Sequence, residues 1–181
     1  MLVEQTHIEG CFVITPSVFE DYRGIFFEHF NKKAFEKETG IQANFVQDNL
    51  SKSSKGVLRG LHFQKGEAAQ AKLVSVTKGK ALDVCVDIRK ASKTFGQYVA
   101  VLLDDVNRKQ LYVPRGFAHG FLALEENTIF SYKCDNYYDK SKESGVLYND
   151  PVLNINWREY YDADFIVSKK DKQLQTLELL F

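Results

Sequence analysis

A series of short apolar or aromatic runs, broken by turn residues about every 8–12 positions, constrains this chain most. Leu82–Ile88 is the clearest of them. Leu82, Val84, Val86 and Ile88 alternate with Asp83, Cys85 and Asp87, and a period of two yields one apolar face only on an extended strand. Gly24–Phe30, Gly56–Phe63, Lys72–Val76, Tyr98–Leu103, Gln110–Val113, Phe117–Leu124 and Thr128–Cys134 continue the series. Strands of this length and spacing predict a mainly β, antiparallel sandwich or barrel. Helices are few and peripheral. Asn31–Thr39 reads as one, with Asn31 as its cap and Gly40 as its stop, and a second is expected after Ser168.

Composition narrows the function classes. The 181 residues are 44% hydrophobic and 13% aromatic, enough for a packed core. With 24 Lys and Arg against 24 Asp and Glu, the chain lacks the basic excess of a nonspecific nucleic-acid binder. No apolar run reaches the roughly 18 residues of a membrane span, and the acidic N-terminal segment does not resemble a secretory signal. Cys11, Cys85 and Cys134 are far apart and form no CxxC, so free thiols and a cytoplasmic setting are expected. Nothing marks a boundary, so residues 1–181 read as one domain.

The residues able to carry chemistry each have two readings. His62 shares a strand face with Leu58 and Gly60 by strict alternation; it is either a satisfied core histidine or a general base. Arg59 points to the opposite face unless the strand bulges, and Gly60 is a plausible bulge site. His119 sits among Gly116, Ala118 and Gly120, small residues that suit either a tight corner or close approach of a ligand. Tyr132 is either core or a phenolic acid. Asp83 and Asp87 lie opposite the apolar face of their strand, solvated or, inside a barrel, able to orient a histidine. Asp171 ends Ser168-Lys169-Lys170-Asp171, a capping box, and competes for the role of a carboxylate that fixes an imidazole tautomer. No His-x-His pair occurs among His7, His29, His62 and His119, which argues against a metal site. Neither GxxxxGK[ST] nor GxGxxG is present.

Eight segments in order then resemble one family. They are Asp21–Glu28, Phe45–Asn49, Gly56–Gln64, Gln70–Val74, Asp83–Arg89, Val113–Phe121, Asn149–Pro151 and Ser168–Asp171. Together they are similar to the dTDP-4-dehydrorhamnose 3,5-epimerases, from about residue 7 to residue 175. The resemblance implies a cupin-type jelly roll that works without metal or cofactor, as a homodimer with exchanged N-terminal strands. It implies dTDP-4-dehydro-6-deoxy-D-glucose as substrate, His62 as base, Asp171 as its partner, Tyr132 as acid and Lys72 as the cation that stabilises the enolate. Arg59 and His119 would lie by the diphosphate or sugar, with Lys170 also near the ligand. Arg23 and Glu28 would reach the nucleotide across the dimer, Gln47, Asp48 and Asn49 would line that same region, Glu143 would be a further contact, and Tyr138 would stack on thymine.

Overall fold

The computed structural model describes residues 1–180. Strands β1 (Leu2–Gln5), β2 (Phe12–Thr15), β3 (Val18–Asp21) and β4 (Gly24–Phe27) lead into helix α1 (Lys32–Thr39). Next come β5 (Gln47–Ser53), β6 (Val57–Gln64), β7 (Lys72–Lys78), β8 (Lys80–Asp87) and β9 (Tyr98–Asp104). β10 (Gln110–Val113), β11 (Phe117–Ala123), β12 (Thr128–Cys134), β13 (Glu143–Gly145) and β14 (Ile166–Val167) follow, before the short α2 (Leu177–Leu180).

Two antiparallel sheets carry the fold. The first runs β1-β2-β10-β7-β12-β5 and the second β13-β6-β11-β8-β9, with β14 added parallel to β6. From β5 to β12 the chain crosses repeatedly from one sheet to the other, which is the winding of the expected jelly roll. Side chains of both sheets fill the space between them: Val74, Leu111 and Phe130 from the first, Cys85, Leu103 and Phe121 from the second. Each outer face is covered as well. Phe35 of α1 packs on Leu73 and Tyr112 of the first sheet. On the second, residues 146–180 lay Val146, Leu153, Trp157 and Leu177 over Leu58, Leu82, Val84 and Val86.

This outer cover changes the meaning of the β8 alternation. The apolar face of β8 is turned outward under the C-terminal segment. Asp83, Cys85 and Asp87 occupy the other face and are fully buried, not solvated. All three cysteines are buried free thiols.

Two expected elements differ. The run Gly24–Phe30 is a strand only to Phe27, in a two-stranded hairpin with β3. After Ser168 the chain forms a single 3-10 turn, Asp171–Gln173, and reaches helix only at Leu177. α1 has the expected ends: Asn31 Oδ1 accepts from the Ala34 N–H, and Gly40 takes a left-handed conformation. No helix among the described residues is long and apolar enough to cross a membrane.

Candidate active site

The cleft opens between the two sheets, and a bulge in β6 shapes it. His119 of β11 pairs with His62, and Phe121 with Arg59. One residue separates the β11 pair and two separate the β6 pair, so β6 carries one extra residue. The extra residue breaks strict alternation. Leu58 and Leu61 both pack into the outer core, while Arg59 and His62 both line the cleft. Two glycines permit this. A Cβ on Gly60 would stand 2.6 Å from the Gly120 Cα, and one on Gly120 would stand 2.5 Å from the Arg59 carbonyl oxygen.

His62 is held by Asp171. Its Nε2 lies 2.7 Å from Asp171 Oδ1, and Oδ2 accepts the Gly60 N–H at 3.2 Å. An ionised carboxylate can only accept, so the Nε2 proton of His62 is directed at Asp171, and Nδ1 is the atom that carries the lone pair of the neutral ring. Asp171 arrives on the C-terminal segment, just after β14 has paired with β6. Both sequence readings of Asp171 meet here. Ser168 Oγ accepts the Asp171 N–H at 3.0 Å and caps the 3-10 turn. The Asp171 side chain does not complete the capping box and turns to His62 instead. Burial pushes the Asp171 carboxyl up, but hydrogen bonds from His62, Gly60 and Ser168 outweigh it and hold the group below its ordinary value.

The first sheet supplies the opposite wall. Tyr132 of β12 and Lys72 of β7 lie on it, with Lys72 Nζ 5.8 Å from the centre of the Tyr132 ring. Burial raises the Tyr132 phenol, which keeps it protonated well above neutrality. Burial also lowers the Lys72 ammonium. His62 and Tyr132 therefore stand on facing sheets, with an imidazole on one wall of the cleft and a protonated phenol on the other.

Two adjoining cavities, of about 570 and 210 Å³, share His62, Lys72 and Tyr132 in their linings. Arg59, His119 and Lys170 line the larger. Gln47, Asn49, Tyr138 and Glu143 line the smaller. Glu143 Oε2 accepts from Tyr138 OH at 2.7 Å and pairs with Lys170 at 2.5 Å. Burial raises the Glu143 carboxyl, and these two donors bring it below its ordinary value. His119 Nε2 lies 2.7 Å from Asp83 Oδ1, so the buried face of β8 does orient a histidine.

Three expected residues stay outside this cleft. Asp48 points outward on β5 and pairs with Lys133. Arg23 is held by Asp21 on the exposed β3–β4 hairpin. Glu28 lines a separate cavity with His29 and Gln110 and accepts from Asn31. Conversely, Ser51, Phe121, Phe130 and Ser168 line the larger cavity without having been anticipated as site residues. Ser51 sits on β5, a polar edge strand with no apolar alternation to reveal it, and its Oγ is buried without a partner. Phe121 and Phe130 stack at 4.0 Å between centroids, and their sequence setting reads simply as core. Among the described residues no three His, Cys, Asp or Glu side chains cluster so as to hold a metal ion.

The family profile described as dTDP-4-dehydrorhamnose 3,5-epimerase matches residues 5–178. The dTDP-4-dehydrorhamnose 3,5-epimerase of Escherichia coli strain K12 is 49% identical over 180 residues, covering 99% of this chain and 96% of that protein. A crystal structure of the enzyme of that name from Elizabethkingia anophelis superposes with a TM-score of 0.93 at 52% identity, covering 98% of this chain and 97% of that one. The 3,5-epimerase of Legionella pneumophila, solved in complex with dTDP-4-keto-L-rhamnose, gives a TM-score of 0.94 at 44% identity, covering 99% and 94%.

Proposed function

The chain belongs to the dTDP-4-dehydrorhamnose 3,5-epimerase family, and from that premise we propose that His62, Asp171, Tyr132 and Lys72 perform the two inversions in the cleft between its sheets. The substrate is a dTDP-4-keto sugar, dTDP-4-dehydro-6-deoxy-D-glucose, and the product is dTDP-4-dehydro-L-rhamnose.

The chemistry needs no more than these side chains supply. A ketone at C4 acidifies the C–H bonds at C3 and C5, since loss of either proton gives an enolate. His62, with a lone pair on Nδ1, removes the proton, and Asp171 stabilises the imidazolium that forms. Negative charge gathers on O4, where Lys72 meets it. Burial disfavours the Lys72 ammonium, and an anion forming beside it offsets that cost. Tyr132 then delivers a proton from the facing sheet, the carbon inverts, and before the second inversion His62 gives its proton to solvent water and the Tyr132 phenolate takes one back. No metal and no organic cofactor enters this scheme. The observation that carries it is the placement of the His62–Asp171 pair and of Tyr132 on opposite walls of one cleft.

The remaining residues bind and orient the nucleotide. Arg59, His119 and Lys170 take the diphosphate and sugar, Gln47, Asn49 and Glu143 line the adjoining cavity, and Tyr138 stacks on thymine. Arg23 and Glu28 join this set across a homodimer in which the N-terminal strands pass to the partner. The exposed β3–β4 hairpin, with Phe19 65% and Phe26 68% exposed, supports that assembly. Asp48 then acts from the rim. Residues 1–181 form one epimerase domain, and three reduced, buried thiols suit the cytoplasm.

The test is hydrogen exchange in D2O. Metal-free protein is incubated with dTDP-4-keto-6-deoxyglucose without a reductase, and label is counted by mass spectrometry and placed by NMR. Label at both C3 and C5 is expected. Label at one carbon would make this a single-centre epimerase, and no label with intact dTDP binding would overturn the assignment.

A further inference from the structure

We propose that Asp150 is a positioning residue for the His62–Asp171 pair, acting from the far end of the segment that delivers Asp171; this rests on the dyad reading above. Asn149-Asp150-Pro151 is distant from the cleft, and neither of its cavities is lined by it. Yet Asp150 is 1% exposed and its carboxylate accepts three backbone N–H groups. Oδ1 takes Val152 at 2.7 Å and Leu153 at 3.1 Å, and Oδ2 takes Leu177 at 2.6 Å.

The two bonds to Oδ1 form a local turn. The third spans 27 residues and ties down the chain six positions beyond Asp171. That tie closes a ring. Gly145 is the register partner of His62 in the β6–β13 pairing. Val146 exchanges backbone hydrogen bonds with Leu61, then bridges to Gln175, and Leu147 donates to the Gln175 carbonyl. Residues 145–150 and 174–177 thus run side by side. One begins at the register partner of His62, the other follows Asp171 by three residues, and Asp150 fastens them at the opposite end. Gly145 brings the two cords close: a Cβ there would stand 2.5 Å from the Leu61 carbonyl oxygen and 2.7 Å from Leu174 Cδ1.

Burying a carboxylate is costly unless donors replace water. An apolar residue would fill this space without that cost. The carboxylate adds two oxygens that grip two stretches of backbone at once. The stretch carrying Asp171 contains only one 3-10 turn and one short helix, so its own hydrogen bonding does little to hold it.

The experiment is a double-mutant cycle on kcat, with active sites counted by calorimetric titration with dTDP. Asp150→Asn keeps the shape and disturbs the grip. Leu177→Pro removes the donor of the long-range bond and keeps Asp150. Each is expected to lower kcat per dTDP-binding site about tenfold or more, since misplacing a catalytic group by about 1 Å can cost about 100-fold. Asp171→Asn alone is expected to lower kcat further, and adding Asp150→Asn to it to cost less than threefold more. A purely structural role would instead reduce the number of binding sites and leave kcat per site intact, which overturns the proposal. Full additivity with Asp171→Asn also overturns it. Unchanged kcat in Asp171→Asn alone would overturn the dyad reading itself, whatever Asp150→Asn does.

Discussion

His62 and His119 stand opposite one another as a register pair across β6 and β11, and each imidazole meets a carboxylate 2.7 Å from its Nε2. The carboxylates have different origins. Asp83 comes from the neighbouring strand β8, whereas Asp171 comes from a segment 109 residues further along the chain. Exposure separates them. The His62 side chain is 30% exposed and that of His119 only 7%. Both imidazoles line the cleft, and His62 presents the more open face to it.

His62→Ala should abolish turnover while leaving dTDP affinity within about tenfold, because removing a base costs chemistry before binding. Calorimetry and the deuterium assay measure the two quantities separately. Wild-type-like rates would sink the mechanism.

Tyr132→Phe should separate exchange from inversion. His62 still removes and returns a proton on its own face, so deuterium enters with retained configuration. Epimerised product should fall by about 100-fold or more, in the range of a lost general acid. NMR of the sugar reads both outcomes at once, and equal loss of exchange and inversion would remove Tyr132 from the acid role.

Gly60→Ala should damage both stability and rate. Its Cβ meets the Gly120 Cα at 2.6 Å and the His119 carbonyl oxygen at 2.8 Å, at a φ of +121°. Overpacking of this kind typically costs about 1–3 kcal/mol, and any relief of the clash disturbs the bulge that turns Arg59 and His62 to one side. Thermal melting and kcat/KM are the measurements. A variant with native melting temperature and native rate would show that the bulge is dispensable.

Asp87 predicts part of the acid sensitivity. Its burial raises the carboxyl, but Arg89, Ser92 and Thr94 outweigh that and bring it from 3.8 to about 2. The folded-state value is depressed, so its contribution is present above about pH 4 and is lost as pH falls towards 2. The difference corresponds to about 2 kcal/mol. Asp87→Asn should lose this stability at pH 7 and show a smaller drop between pH 4 and pH 2. Urea unfolding across that range checks it, and parallel losses in both proteins would assign the acid sensitivity elsewhere.

The hairpin predicts assembly. Replacing both Phe19 and Phe26 with Ser should convert a dimer to a monomer in sedimentation velocity and weaken nucleotide binding, since Arg23 would no longer reach a partner's cleft. A wild type that sediments as a monomer would refute the exchanged-strand dimer.

Much of this was legible in the sequence, for physical reasons that differ by residue. Period-two alternation is a local property, so Gln110–Val113 and Thr128–Cys134 match the observed strands end to end. The cap at Asn31 and the stop at Gly40 are equally local. Three of the eight family segments contain His62, Lys72 and Asp171, the resemblance they carry added Tyr132, and the fold brings all four into one cleft. Tertiary structure decided the rest. β5 is polar apart from an exposed Leu50, because an edge strand is ordered by its pairing with β12 and needs no apolar face of its own. Alternation shows that β8 has two faces and cannot show that both are buried; that depends on a C-terminal cover 60 or more residues away. Alternation also separates Arg59 from His62, and only the fit of Gly60 against Gly120 reunites them. Asp171 reads as a cap because capping is local, and its bond to His62 exists only once β14 has paired with β6. Local hydrogen bonding and periodicity are written in neighbouring residues, whereas the meeting of distant side chains is set by how closely two backbones can approach.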